Sequence, residues 1–186
     1  MTEPQTKDFR NDQQLIDALN RGDHTAFDTI YERYHRWVQH VALRFVGNDA
    51  DALDAMQEVF GYLARHASQL TLTAKLTTYL YPIVRSQAIN IIRKRNRREN
   101  LPIEELGRLT APAADADVLH HDLATLVRDL PEPQREVLLM KALDGMTQDE
   151  IATALGIAVG TVKSRLHRAI DTLKRDPRTR QYFENK

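Results

Sequence analysis

Apolar residues recur every three or four positions along most of this chain, a spacing that predicts helices almost throughout. The clearest stripe covers residues 27–45 and consists of Phe27, Ile30, Tyr31, Tyr34, Val38, Val41 and Phe45. Gly47 follows this stripe, and glycine commonly ends a helix. No stretch of any length alternates as a strand does, so we expect an all-α protein.

The next predicted helix, about residues 50–67, carries an acidic face. Its apolar positions are Leu53, Met56, Phe60 and Leu63. Spacings of three, four and seven residues align along a helix, so the opposite face carries Asp51, Asp54 and Glu58. Gln57, with Val59 or Phe60 exposed beside it, borders these acids. Such a face suits docking onto a basic partner.

A further helix, predicted over residues 79–98, runs out into the basic tract RKRNRR. Pro82 lacks an amide hydrogen, so it must either mark the first turn of this helix or kink it. Residues 99–118 then lose the helical period and gain Pro, Ala, Gly and acids, which predicts a flexible linker.

The linker divides the chain into two small helical domains, residues 12–98 and 119–176. A flexible N-terminus (1–11) and a C-terminal tail (177–186) flank them.

The second domain contains a predicted helix-turn-helix over residues 147–175. Ala152 is small where two helices must touch, Gly156 follows four residues later, and Val162 lies six residues beyond it. A small residue, a turn glycine and an apolar plug at these offsets are what two steeply crossing helices require. The second helix then displays Lys163, Ser164, Arg165, His167 and Arg168. Positive charge on a protruding helix suits a DNA major groove, although an ordinary helical hairpin with a solvated basic face has the same pattern.

The charge of the chain sums to zero over 186 residues, but it is segregated. Residues 85–98 hold six basic and no acidic residues, whereas residues 49–58 hold four acidic and no basic ones. Segregated charge provides separate surfaces for separate partners.

The chain has no cysteine, which excludes disulfides and thiolate zinc sites. Its N-terminus is polar and no apolar stretch approaches membrane-spanning length, so we expect a soluble, cytoplasmic protein.

Candidate catalytic or metal chemistry is weak. The one histidine cluster, His120-His121-Asp122, places adjacent side chains about 100° apart on a helix, which is poor geometry for one ion. No nucleophile-elbow, phosphate-loop or zinc-protease pattern is present. We therefore expect no enzyme activity, catalytic residue, metal, cofactor or small-molecule substrate.

Two segments together resemble a known family. The segment GDHTAFDTIYERYHRWVQHVALRFVGNDADALDAMQEVFGYLAR resembles region 2 of bacterial sigma factors, and LPEPQREVLLMKALDGMTQDEIATALGIAVGTVKSRLHRAIDTLK resembles their region 4. Two such domains joined by a short linker resemble the extracytoplasmic-function (ECF) group. The resemblance implies a factor that confers promoter specificity on core RNA polymerase and is held inactive by an anti-sigma factor.

By this resemblance, three sets of residues receive roles. The set implied to bind the clamp helices of the large polymerase subunit is Asp51, Asp54, Gln57 and Glu58. The set implied for the −10 element is Arg85, Ser86, Asn90, Arg93, Lys94, Arg95, Arg97 and Arg98. The set implied for the −35 element is Thr161, Lys163, Ser164, Arg165, His167 and Arg168.

The chain also departs from the family pattern. Tyr79, Pro82, Ser86 and Asn90 all differ from the usual residues of the helix assigned to the −10 element, which bears on the base identity read there. Ala158 replaces a serine that would cap the recognition helix, and a lost N-cap costs about 1 kcal/mol.

Three other functions fit parts of the pattern. A sigma-like decoy would sequester an anti-sigma factor, although such decoys usually carry a receiver domain. A conventional helix-turn-helix regulator would have no use for the DAMQEVF helix. A DNA-processing enzyme would need an acidic metal site.

Overall fold

The structure, a computed structural model, describes residues 8, 10–67, 70–99 and 118–179, with the backbone alone at 99 and 118–123. Within these residues all regular structure is helical, which confirms the all-α fold class. The helices are α1 (Asp12–Asn20), α2 (His24–Val46), α3 (Asp49–His66), α4 (Leu76–Glu99), α5 (Val118–Asp129), α6 (Glu132–Ala142), α7 (Gln148–Leu155) and α8 (Val159–Arg175). The predicted linker and both predicted termini lie largely outside the described residues.

Helices α1–α4 form one bundle, in which α2 contacts each of the other three. The predicted stripe of α2 faces the core, and Ile30, Val38 and Val41 are fully buried. Asp23 begins the helix by accepting a hydrogen bond from the amide of Thr25. Gly47 ends it at φ 77°, a left-handed conformation that favours glycine.

The buried face of α3 is rotated from the predicted one. Leu53 is 42% exposed, whereas Val59 and Phe60 are buried. The expectation that Leu53 faces the core, and that Val59 or Phe60 is exposed, is therefore wrong. The reason is that two alanines, Ala52 and Ala55, pack against the rest of the bundle, which turns Leu53 towards solvent.

Helix α4 begins at Leu76, earlier than predicted, and Pro82 lies inside it. Pro82 is thus beyond the first turn, and a first-turn proline is the wrong alternative. Because proline has no amide hydrogen, the carbonyl of Thr78 lacks its usual donor four residues later.

The helix-turn-helix in the second half is confirmed. Thr147 and Glu150 form a capping box at the start of α7, and Gly156 ends that helix at φ 65°. Ala152 is 6% exposed and Val162 is fully buried. The small residue, the turn glycine and the plug therefore have their predicted places. A separate small cluster attaches α5 to α8 and consists of Leu126, Leu130, Ala169 and Leu173.

The two halves pack against each other. Helix α4 contacts α7, and one continuous cluster of buried apolar residues contains members of both halves. Among the described residues, no helix combines the length and apolar character needed to cross a membrane.

Gly156 provides a test of the helix-turn-helix. Replacing Gly156 by Ala should destabilise the protein by about 1–2 kcal/mol, since an L-residue is strained in the left-handed region. No other part of the protein, beyond Gly156 and its two chain neighbours, lies within 4 Å of the added methyl group, so backbone strain and not a steric clash accounts for the effect. Urea unfolding measures it.

The matched control is Gly160→Ala in the first turn of α8, where the added methyl group also meets nothing. Alanine in a regular helix should stabilise by about 0.5–1 kcal/mol. Equal urea midpoints for the two variants would contradict the assigned turn.

Candidate polymerase and nucleic-acid interfaces

The acidic face of α3 is open at three of its four predicted positions. Asp54, Gln57 and Glu58 are exposed, and Leu53 lies beside them. An exposed leucine bordered by carboxylates offers both apolar area and negative charge to a partner.

Asp51 is different, because its carboxylate is engaged within the protein. It accepts a hydrogen bond from Arg95 at 2.5 Å and one from the side-chain amide of Asn48 at 2.9 Å. Arg95 also donates to the carbonyl of Val46 at 3.4 Å. Asp51 and Arg95 therefore tie the start of α3 to α4.

The predicted −10 residues of α4 divide between two faces. One face borders α3 in a groove of about 520 Å³, lined by Asp51, Asp54, Gln57, Glu58, Ile91, Lys94, Arg95 and Arg98. The structure thus brings acidic residues predicted to bind polymerase and basic residues predicted to bind DNA into one groove. The basic side chains that border this groove partly neutralise the negative charge of the acidic face.

The other face of α4 carries Ser86, Asn90, Arg93 and Arg97, all exposed and spaced four, three and four residues apart. Such spacing places them in one row along the helix. Its first three members, with Arg85, line a cleft of about 410 Å³ between the two halves. Arg165, Leu155 and Ile157 lie across this cleft.

Arg85 is already paired across the cleft. Its Nε lies 3.0 Å from a carboxylate oxygen of Glu136 on α6, which also accepts a hydrogen bond from the hydroxyl of Tyr81 at 3.2 Å. Burial raises the pKa of Glu136 above its ordinary value, and the charge of Arg85 opposes that shift. A residue predicted to contact promoter DNA is thus bound to a carboxylate of the second half.

The outer face of α8 is open. Lys163, Ser164, His167 and Arg168 are exposed, and the Ser164 hydroxyl donates to the carbonyl of Thr161 at 3.0 Å. Thr161 and Arg165 are half-buried, and Arg165 lines the cleft towards α4. As expected, Ala158 starts the helix without a side-chain cap.

Sequence reasoning missed the most buried polar contact between the halves. Arg44 on α2 donates to both carboxylate oxygens of Asp144 at 2.9 and 2.7 Å, and each side chain is only 5% exposed. The indole of Trp37 donates to the same carboxylate at 3.0 Å. Burial raises the pKa of Asp144, and Arg44 opposes that shift.

The signal for this contact was present but ambiguous. Asp144-Gly145 reads as a turn, and Gly145 does adopt φ 64° between α6 and α7. Arg44 lies among the apolar residues of α2, a position that a solvated arginine avoids. Neither observation names the partner, since Arg44 and Asp144 are 100 residues apart.

Metal ligands were not expected, and no group of three or more candidate ligands is found in the described part of the chain. The side chains of His120, His121 and Asp122 lie outside it.

The chain matches both halves of a protein family. Residues 30–98 match sigma-70 region 2, and residues 120–173 match sigma-70 region 4. The ECF RNA polymerase sigma factor SigM of Mycobacterium tuberculosis is 30% identical over 166 residues, which covers 89% of this chain and 84% of SigM. The RNA polymerase sigma-H factor of Pseudomonas aeruginosa is 29% identical over 176 residues, which covers 87% of this chain and 91% of that protein.

A solved structure shares the fold. It is the sigma factor RpoE in complex with the anti-sigma factor NepR from Bartonella quintana, with a TM-score of 0.62 and 22% identity. The similarity covers 80% of this chain and 94% of that one.

The missing cap at Ala158 yields a second test. Its extended backbone (φ −66°, ψ 144°) already suits an N-cap, so Ala158→Ser should let a hydroxyl accept from the amide of Gly160 or Thr161. The expected gain is about 1 kcal/mol in the free energy of unfolding, measured by urea titration. Ala158→Val, which adds no acceptor, should give no gain. The cap assignment fails if serine and valine behave alike.

Proposed function

The chain belongs to the ECF group of sigma-70 factors, and we propose that its exposed charged faces make the separate contacts that such a factor needs. An ECF sigma factor confers promoter specificity on core RNA polymerase and initiates transcription of a specific set of genes. The polymerase performs the chemistry. The observation that carries the assignment of surfaces is the separation of an open acidic face on α3 from an open basic face on α8.

Core polymerase binding is assigned to Asp54, Gln57 and Glu58, with Leu53 as an apolar contact. Support comes from their shared exposure on α3, the helix whose DAMQEVF segment resembles the clamp-binding segment of the family. Asp51 belongs to the same set and also orients the interface through its bond to Arg95.

Recognition of the −10 element is assigned first to the row of exposed residues on α4 that runs from Ser86 to Arg97. Arg93 and Arg97 take phosphates there, and Ser86 and Asn90 offer hydrogen-bonding groups to bases. Arg85 joins this set once it is released from Glu136. Lys94 and Arg98 lie beside the acidic groove and take phosphates at the border of the polymerase interface. Arg95 joins them once a phosphate replaces Asp51 as its partner.

Recognition of the −35 element is assigned to the outer face of α8. Lys163, Ser164, His167 and Arg168 enter the major groove, where Lys163 donates to guanine O6 or N7. Thr161, near the start of the helix, and Arg165 take flanking phosphates.

Two further assignments rest on membership of the group. We expect an anti-sigma factor to hold the protein inactive, as ECF factors are usually held. We also place its action in the cytoplasm, where core polymerase works. A conventional regulator is disfavoured by the match to region 2, and no described feature favours a decoy or a DNA-processing enzyme.

Run-off transcription tests the function directly. Purified core RNA polymerase transcribes fragmented DNA from the source genome with and without the protein. We expect discrete new start sites that depend on the protein. Silence with a folded protein and an active core would overturn initiation as the function.

The polymerase face generates a third prediction. Asp54→Lys combined with Glu58→Lys should abolish binding to core polymerase, because two positive charges would then face a basic partner. The fold should persist, since both side chains are exposed. A pull-down with core polymerase measures the effect.

The matched control for the polymerase face is Asp28→Lys with Glu32→Lys, two exposed acids at the same spacing on α2. This control should bind normally. If the α3 variant also bound normally, the assigned face would be wrong.

The recognition helix generates a fourth prediction. Lys163→Ala with Arg168→Ala should spare polymerase binding and weaken promoter selection, because a well-formed base contact contributes about 1–3 kcal/mol of discrimination. The measurement compares transcription from a mapped promoter with that from the same promoter carrying a scrambled −35 element.

The control for the recognition helix is Arg128→Ala with Lys141→Ala, two exposed basic residues elsewhere in the second half. It should leave the preference for the intact −35 element unchanged. An unchanged preference in the α8 variant would contradict the assignment.

A further inference from the structure

The cleft of about 410 Å³ carries positive charge that the described residues do not neutralise. Three arginines line it, Arg85 and Arg93 on α4 and Arg165 on α8, together with the carboxylate of Glu136. Glu136 is paired with Arg85 at 3.0 Å, which leaves the charges of Arg93 and Arg165. Neither of these two guanidinium groups makes a hydrogen bond or an ion pair within the described part of the chain.

The lack of a partner is most significant for Arg165. This residue is half-buried, so its guanidinium group has lost part of its hydration without gaining an acceptor from the described residues. By contrast, the buried Arg135 donates to the carbonyl of Arg128 at 3.0 Å. A guanidinium group keeps its proton in proteins, so the charge of Arg165 persists. An anion from solution, bound between the walls of the cleft, is the partner that such a charge favours.

The two unpaired arginines lie on opposite walls of the cleft, which bears on the kind of anion that they bind. One guanidinium group presents two parallel N–H donors and engages both oxygens of a carboxylate. A phosphate group presents three acceptor oxygens, so it can accept hydrogen bonds from two arginines at once. The pair of Arg93 and Arg165 therefore suits a phosphate group better than a carboxylate.

The rest of the cleft suits an organic group attached to that phosphate. Its volume falls within the range of about 300–1,000 Å³ that is typical of sites for small organic ligands. Ser86 and Asn90 line it without any side-chain hydrogen bond among the described residues, so their donors and acceptors are available to a polar ring edge. Both walls also contribute apolar side chains, namely Pro82, Ile89, Leu155 and Ile157.

We propose that this cleft binds a nucleoside phosphate, with Arg93 and Arg165 on its phosphates and its base between the apolar side chains. Binding is the whole of this role, and no chemical step is attached to it. The site does not depend on the proposed function. One consequence does: Arg93 and Arg165 are also assigned to DNA phosphates, so the free chain cannot hold the nucleotide and make those DNA contacts at the same time.

Isothermal titration calorimetry of the full chain tests the site, at low ionic strength and without magnesium. The probes are ADP, GDP, CDP and UDP. We expect at least one of them to bind with a stoichiometry of one. The same nucleotide should raise the thermal midpoint of unfolding, because it binds the native state. Failure of all four nucleotides to bind would overturn the proposal.

Partial ligands test the chemical class of the ligand. Pyrophosphate lacks the base, the matching nucleoside lacks the phosphates, and succinate is a dianion without a phosphate group. Each should bind at least about fivefold more weakly than the nucleotide, because each leaves the apolar walls or the arginines without their full contacts. Equal affinity for any of the three would contradict a nucleoside phosphate as the ligand.

The variant Arg93→Gln with Arg165→Gln removes both unpaired charges. Nucleotide affinity should fall at least about tenfold, because hydrogen bonds from charged groups are lost. The matched control is Arg128→Gln with Lys141→Gln, two exposed basic residues elsewhere in the second half. The control should bind the nucleotide as the wild type does. An equal loss in the control would reduce the effect to net charge and argue against the assigned site.

A blocking variant covers the case in which the glutamine variant does not fold. Ser86 is exposed and lines the cleft, so Ser86→Trp fills the cleft and keeps both arginines. This variant should lose nucleotide binding, whereas Ser164→Trp on the outer face of α8 should retain it. Undiminished binding by Ser86→Trp or by the folded glutamine variant would place the nucleotide elsewhere and overturn the proposal. Because no polymerase and no promoter are present, the titration and the run-off assay can fail independently.

Discussion

The arrangement of this protein depends on the buried ion pair between Arg44 and Asp144. An ion pair that is 5% exposed on both sides has lost most of its hydration, and the attraction between its charges largely offsets that loss. Removing one partner of such a pair typically costs about 3–5 kcal/mol. In this arrangement each charge depends on the other, because either one alone would be buried without a partner of opposite charge. Trp37 and the neighbouring pair of Arg85 and Glu136 make this requirement stricter.

Although the chain has zero net charge, its exposed charged residues lie on separate surfaces. Asp54 and Glu58 of α3 and the basic residues on the outer face of α8 are exposed, and the Asp51–Arg95 bond ties α3 to α4 within the groove between them. Among the described residues, the second half contacts α2 and α4 and also Lys75, which precedes α4 and pairs with Glu150.

Much of the fold is predictable because its causes are local. The capping box of Thr147 and Glu150, the left-handed Gly156 and the apolar plug Val162 each depend on residues a few positions away. The rotation of α3 is less predictable, since alanines such as Ala52 are compatible with either side of a helix. Which side they occupy depends on the neighbouring helices, and that choice places Leu53 in solvent.

The candidate site likewise has features that depend on local sequence and features that depend on tertiary packing. The sequence by itself determined which residues carry charge, which helices carry them and where the recognition helix begins, because helical periodicity and turn chemistry operate within a few residues. Only the tertiary structure decided that Lys94 and Arg98 border the acidic groove while Asn90 and Arg93 face the cleft. It alone decided that Arg44 meets Asp144 and that Arg85 meets Glu136. The physical reason is that a charge pattern defines the available donors and acceptors, whereas the packing of the two halves determines which of them lose their water together.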